Sequence, residues 1–327
     1  MAFRILSLSG GGYRGLFTAE ILARLEDKAG KPIGQCFDMI AGTSIGGIIA
    51  MGLALGKTAT DIRDVFLDQG DTVFPPRGLP GQGLRWLKGF VMPKYASGPL
   101  RATIERIIDP DATILNCRTR LLIPTVNMTA GRLQMFKTPH HHTLTEDGGL
   151  KAVQVALATS AAPTYFPLAK IGNNFYADGG LAANSPDICA VHEAIHFCGQ
   201  EIEDVSVLSI GTILTGYGVA SSQGRNWGIW DWAMKRPRLL ETTMGVQQQL
   251  VNFMMQHDLK ERYIRFDQTA DAEHLPDIGL DVAEDRRRAT QLSLAEVAFR
   301  IGYANPGVKE ALTHTPSPPP HLQWAAD

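Results

Sequence analysis

A serine and a row of glycines, each at the end of an apolar run, supply the parts of an acyl-transfer site. Gly42-Thr43-Ser44-Ile45-Gly46 has the form G-x-S-x-G, which seats a serine on a sharp strand-to-helix turn with its hydroxyl presented outward. Ser44 then stands at a helix N-terminus, where the dipole and unpaired N–H groups favour a developing anion. Upstream, Gly10-Gly11-Gly12-Tyr13-Arg14-Gly15 follows another apolar run. Backbone N–H groups from Gly10 to Gly12 would point at the oxygen that turns negative when Ser44 attacks a carbonyl. Arg14 would add charge or orient the loop. A plain serine helix cap is the alternative for Ser44. The strand before it, Gly47 and the apolar helix after it favour a nucleophile.

Each motif has rivals. The glycine run also fits the G-x-G-x-x-G dinucleotide fingerprint, which needs an acid about 20 residues further on at the end of the next strand. Here that strand ends in Ala41-Gly42-Thr43-Ser44, and Asp38 lies before its end. No G-K-[ST] follows to make a phosphate-binding P-loop. An α/β-hydrolase triad is also unexpected, because only one strand–helix unit precedes Ser44.

The serine still needs a base. Asp178-Gly179-Gly180 offers a carboxylate that a neighbouring backbone can approach closely, though turns use the same residues. Asp147-Gly148-Gly149 is a second copy in a more polar setting. His192-Glu193-Ala194-Ile195-His196 spells the H-E-x-x-H zinc motif. Ile202 stands where a third histidine would follow, and Glu201 and Glu203 are too near, so these are read as structural histidines. His140-His141-His142 is expected in a solvated loop. Trp227, Trp230 and Trp232 beside Arg225, Lys235, Arg236 and Arg238 could stack on a nucleotide or a lipid headgroup. Their helical spacing favours a core role.

The elements that must position these residues follow from hydropathy. Arg4 to Ser9 reads as a buried strand, and Leu16, Phe17, Ile21, Leu22 and Leu25 recur at helical spacing. Cys36 to Ala41 is a second strand, with a second helix from Gly46. This βαβα opening implies a parallel sheet covered by helices on both faces. Arg120 to Val126, Asn174 to Ala177 and Asp204 to Ile210 are further strands; after Thr215 the pattern is helical. Residues 74–99, rich in Pro and Gly with Trp86, Phe90 and several cations, read as a packed loop or a membrane-facing one. Pro316-Ser317-Pro318 cannot continue a helix and should trail over the surface.

Composition narrows the class. The 327 residues are 44% hydrophobic and 20% charged with a formal net charge of −2. That is a soluble globular balance and argues against bulk nucleic-acid binding. The longest apolar stretch, Ile45 to Leu55, falls well short of the ~20 residues that span a bilayer. Four cysteines without a CxxC pair suit a reducing compartment. No signal-peptide pattern opens the chain.

Four ordered segments resemble the patatin-like phospholipases: Ser9 to Gly15, Gly42 to Gly46, Ala158-Thr159-Ser160-Ala161-Ala162-Pro163-Thr164-Tyr165-Phe166-Pro167, and Asp178-Gly179-Gly180-Leu181-Ala182-Ala183-Asn184-Ser185-Pro186. Ser206 to Thr212 looks like the family's later strand and turn. The resemblance implies an α/β three-layer fold with a mainly parallel central sheet covered by helices. It implies a Ser44–Asp178 dyad without a catalytic histidine, an oxyanion hole at Gly10, Gly11 and Gly12, and loop support from Arg14, Gly15, Gly42, Gly46, Gly179 and Gly180. No metal or other cofactor is required. The family's glycine loop usually opens with aspartate, where this chain has Ser9. Residues 1–310 are expected as one domain, with 3–212 matching the family core, 213–310 helical, and 311–327 a Pro-rich tail. The C-terminal third is similar in plan to bacterial patatin-like effectors switched on by cyclic nucleotides in antiphage defence. That likeness implies a cyclic dinucleotide activator and a phospholipid membrane surface as substrate, reached from the cytoplasm at the inner face. It also allows a homo-oligomer.

Overall fold

β1 (Phe3–Leu8) shows why the chain layers as it does. Phe3 and Ile5 pack into one apolar cluster, while Leu6 and Leu8 pack into another. Alternate side chains of a strand point to opposite faces, so this strand buries both. In the computed structural model, which describes residues 2–75, 92–214, 225–228, 231–232, 238–271 and 273–324, β1 is central to an eight-stranded sheet. The other strands are β2 (Met39–Gly42), β3 (Arg120–Asn127), β4 (Arg132–Lys137), β5 (Ala169–Ile171), β6 (Asn174–Asp178), β7 (Val205–Ile210) and β8 (Tyr263–Phe266). Their order is β5-β6-β3-β2-β1-β7-β8, with β4 also paired to β3.

From β3 through β2, β1 and β7 to β8 every pairing is parallel. β4 and β6 run antiparallel to β3, and β5 antiparallel to β6. The mainly parallel sheet is therefore present, with an antiparallel end. One face is covered by α1 (Gly15–Ala29), α2 (Ile45–Ala54), α3 (Ala59–Val73), α4 (Ser97–Ile107) and α5 (Ala152–Thr159). After the short α6 (Gly180–Ala183), helices α7 (Asp187–Cys198) and α8 (Arg238–Leu259) cover the other face. α9 (Asp285–Tyr303) and α10 (Pro306–Thr313) pack beside α1. Among the described residues, no helix is long and apolar enough to cross a membrane.

Several expectations need correction. Ile33–Cys36 is a 3-10 turn, and the second strand begins only at Met39. The C-terminal third is not all helical, since β8 extends the sheet beside β7. Residues 314–324 do not trail over the surface. Ser317 N–H donates to Asp38 Oδ1 at 3.0 Å, its carbonyl accepts from Arg120 at 3.0 Å, and α11 (Pro320–Trp324) buries His321 against the Cys117 carbonyl. Ser317 stands between two prolines, so it supplies the N–H that they lack. Trp227 and Trp232 are not core residues: they meet edge to face, partly exposed, with Arg238 over the Trp227 ring. Trp230, Lys235 and Arg236 lie outside the described residues, as do 76–91 of the Pro- and Gly-rich segment.

Candidate active site

β2 ends at Gly42 and α2 begins at Ile45, which leaves Ser44 at the turn between them. Its backbone sits at φ 56° and ψ −125°, a region costly for a residue with a side chain and found where surrounding contacts hold it. Those contacts are present. Ser44 N–H donates to Thr159 Oγ1 at 3.0 Å, and the Thr159 hydroxyl donates to the Pro124 carbonyl at 2.7 Å. Thr43 is tied by its hydroxyl to the Ala183 carbonyl at 2.6 Å. At Gly46 the backbone approaches the Leu8 and Ser9 carbonyls so closely that a Cβ would collide with both.

Asp178 is the last residue of β6, opposite Thr125 of β3. Ser44 Oγ donates to Asp178 Oδ2 at 2.6 Å, and Gly180 N–H donates to Oδ1 at 2.7 Å. Both side chains are buried. Burial pushes the Asp178 carboxyl up to about 6, outweighing the opposite pull of the Ser44 and Gly180 hydrogen bonds. A carboxylate titrating there is a far better proton acceptor near neutral pH than an ordinary one, while still mostly ionised.

The glycine turn departs from expectation at one position. Gly10 N–H donates to the Asn184 carbonyl at 2.9 Å, so it does not serve as an oxyanion donor. Gly11 and Gly12 N–H have no intramolecular acceptor among the described residues. That leaves Gly11 and Gly12 N–H as the candidate donors of the turn, and Gly12 lines the same pocket as Ser44 and Asp178. Gly12 has φ +59°, and a Cβ on it would strike the Leu280 carbonyl. Arg14 is buried and orients the loop: its side chain donates to the Gly11 carbonyl at 3.1 Å and the Ile213 carbonyl at 3.3 Å. Thr212 Oγ1 donates to the Gly10 carbonyl at 2.8 Å, and Tyr13 N–H to the Leu280 carbonyl at 2.8 Å. Gly15 abuts Ile45, Gly42 abuts Gly46, Gly179 abuts Pro124, and Gly180 lies by Met244 and Asp178.

Ser9, in the place of the family's aspartate, is anchored differently. Its hydroxyl lies 3.2 Å from Ser185 Oγ and accepts from Arg265 at 3.4 Å. Arg265 is in turn paired with Asp267 at 2.8 Å and lies 3.8 Å from Asp187. The negative charge behind the turn thus comes from other parts of the chain.

Ser44 opens onto an apolar pocket lined by residues including Leu16, Ile48, Phe74, Ile104, Phe166 and Met244. Its walls carry little that could bind a polar chain, so it suits a hydrocarbon tail.

A family model described as patatin-like phospholipase matches residues 6–186, which hold the glycine turn, Ser44 and Asp178. The chain belongs to the patatin-like phospholipases. It is 39% identical over 324 residues to a cGAMP-activated phospholipase of Vibrio cholerae serotype O1, covering 91% of this chain and 88% of that one. It is likewise 39% identical over 304 residues to a cGAMP-activated phospholipase of Escherichia coli, covering 86% and 84%. VipD from Legionella pneumophila is a structural match at 12% identity and TM-score 0.43, over 92% of this chain and 67% of that one.

In this patatin-like phospholipase the other sequence candidates lie away from the dyad's hydrogen bonds. Glu193 of the H-E-x-x-H segment is buried, bonded to Lys137 at 2.6 Å and His140 at 3.0 Å. Burial raises its carboxyl, but those two partners win and hold it below the usual range. His140 is buried rather than solvated, and its other nitrogen meets Thr138 Oγ1 at 2.9 Å. Asp147 accepts from Lys137 N–H at 2.9 Å, in a turn of its own. Among the described residues, no three His, Cys, Asp or Glu side chains come together to hold a metal ion.

Sequence reasoning missed Thr159, Asn184, Thr212 and Leu280 as positioning residues. Thr159 and Asn184 lie within segments that carried the family resemblance, so the signal was there without a role attached. Leu280 acts through its carbonyl, and its side-chain type does not advertise that.

Proposed function

We propose that this protein hydrolyses carboxylic ester bonds of membrane glycerophospholipids and that cGAMP switches it on. The observation that carries the hydrolytic reading is the 2.6 Å hydrogen bond from Ser44 Oγ to Asp178 Oδ2 at the floor of an apolar pocket. Asp178 takes the Ser44 proton as Oγ bonds to the ester carbonyl carbon. The carbonyl oxygen becomes negative and accepts from Gly11 and Gly12 N–H. Collapse of that intermediate breaks the ester C–O bond, and Asp178 returns its proton to the departing alcohol. Water then attacks the acyl-Ser44 ester, giving its proton to Asp178, and Asp178 passes that proton to Ser44 Oγ as the acyl–Oγ bond breaks and the fatty acid leaves. No metal enters this route.

The cGAMP reading rests on the similarity to phospholipases named for that activation, which extends over the C-terminal third as well as the core. Fatty acid release from phospholipid vesicles tests both halves. Wild type should release fatty acid on cGAMP addition, while Ser44→Ala and Asp178→Asn should fall by at least about a thousandfold. Equal release by all three would remove the dyad. Full release without cGAMP, unchanged by adding it, would remove the switch and leave the hydrolase.

A further inference from the structure

The glycine turn is held from the C-terminal side by a segment whose own fixing point is a buried carboxylate. Leu280 lends its carbonyl to Tyr13 N–H at 2.8 Å and sits against Gly12. The next residue, Asp281, is buried and bonds through Oδ2 to Lys94 Nζ and to Tyr95 OH, the latter at 2.8 Å. Lys94 and Tyr95 are themselves fixed to the pocket wall: their backbone N–H groups donate to the Thr164 and Tyr165 carbonyls at 2.9 and 2.8 Å. The Tyr95 ring packs on Phe74, Tyr165 and Phe166. A carboxylate removed from water needs charge and hydrogen bonds to compensate, and Lys94 and Tyr95 supply both to Asp281.

Resting on the hydrolase reading, we propose that Asp281 is a positioning residue for the oxyanion turn. Its side chain clamps the Leu280 peptide between the pocket wall and the turn. The Leu280 carbonyl then holds Tyr13 N–H, which leaves Gly11 and Gly12 N–H free for the reacting oxygen. Such donors act on charge that exists only in the transition state, so losing the clamp lowers kcat and leaves KM nearly alone.

The test uses the full chain with and without cGAMP. Two readouts are p-nitrophenyl butyrate turnover and the rate of fluorophosphonate labelling at Ser44. Asp281→Ala should lower kcat by about 10- to 100-fold with KM within about threefold, and slow labelling in parallel. Tyr95→Phe, which keeps the ring, should show a smaller loss. Lys94→Met combined with Asp281→Ala should be no worse than Asp281→Ala alone, because both remove one device. Melting curves accompany every variant. If Asp281→Ala does not fold, Lys94→Met, whose side chain is half exposed, decides the matter by the same kcat and KM split. Folded Asp281→Ala or Lys94→Met proteins with wild-type kcat would overturn the clamp. A wild type that neither turns over ester nor labels at Ser44 would instead overturn the hydrolase reading, and the clamp with it.

Discussion

Ser44 Oγ and Gly180 N–H grip opposite oxygens of the Asp178 carboxylate, at 2.6 and 2.7 Å. One oxygen faces the proton to be moved, and the other fixes the plane of the group. In the proposed mechanism a lone carboxylate does the work that a histidine and an acid share elsewhere, and burial raises its basicity for that role.

Turnover should therefore follow the ionisation of Asp178. It is competent only when deprotonated, so kcat/KM for a neutral ester should rise about tenfold per pH unit below about 6 and level off above. A profile from pH 4.5 to 8.5, cGAMP held saturating, reads this directly (the pH range is roughly that over which the fold should persist). A plateau reaching down to the acid end would exclude Asp178 as the base.

Stability should show the opposite preference. The folded chain holds the Asp178 proton more tightly than the unfolded chain does. The stability this group contributes is complete below the ordinary 3.8 and lost as pH rises through about 6. A rise of that size corresponds to at most about 3 kcal/mol. Asp178→Asn should thus melt higher than wild type at pH 8, by about 1–3 kcal/mol, and about equally at pH 4. Calorimetry at both values checks the difference; a variant less stable at pH 8 would contradict it.

Gly12→Ala should be damaging out of proportion to one methyl group. Its φ of +59° disfavours a side chain, and the Cβ would meet the Leu280 carbonyl. The turn must shift, at a cost of about 1–3 kcal/mol in strain. Loss of a well-aimed donor should lower kcat by about a hundredfold or more. Steady-state kinetics beside a denaturant titration separates the two effects.

Deleting the chain from Thr315 onward should expose a thiol. Cys117 is fully buried and its thiol is pushed up to about 12 by burial, which keeps it inert. Its carbonyl is capped by His321, and Ser317 links Asp38 to Arg120. The truncated protein should melt lower, by about 2 kcal/mol, and its Cys117 should react with a disulfide reagent far faster than in the full chain. Unchanged melting and reactivity would show that this segment contributes nothing to the body.

The sequence carried the parallel half of the sheet well. β1, β2 and β7 are mostly apolar runs that stop at glycine or serine, and the helices between them repeat apolar residues at helical spacing. β8 escaped because Tyr263-Ile264-Arg265-Phe266 is short and centred on an arginine that reads as surface. The Arg265 side chain is in fact only 9% exposed, paired with Asp267 and bonded to Ser209. Burial of such a charge depends on partners distant in the chain, which no local pattern reveals. Ser44 and Asp178 were legible because their types and flanking glycines are chemical requirements. Gly10 was misassigned for a different reason. Sequence shows which backbone donors exist, whereas only the fold shows that the Asn184 carbonyl takes this one. His140 was misjudged in the same way, since its acceptor Glu193 lies on α7.

The contacts that shape the glycine turn come from far along the chain: Asn184, Thr212, Leu280, and Arg288, whose guanidinium donates to the Tyr13 hydroxyl at 3.1 Å. Translation delivers these residues in order. A growing chain thus presents Ser44 without Asp178, and then both without the carbonyl and guanidinium that steady the turn. If the proposed hydrolase acts on membrane lipids, a chain still being made would lack the contacts that steady its turn. On the proposed reading, the turn is complete only once the C-terminal third is in place.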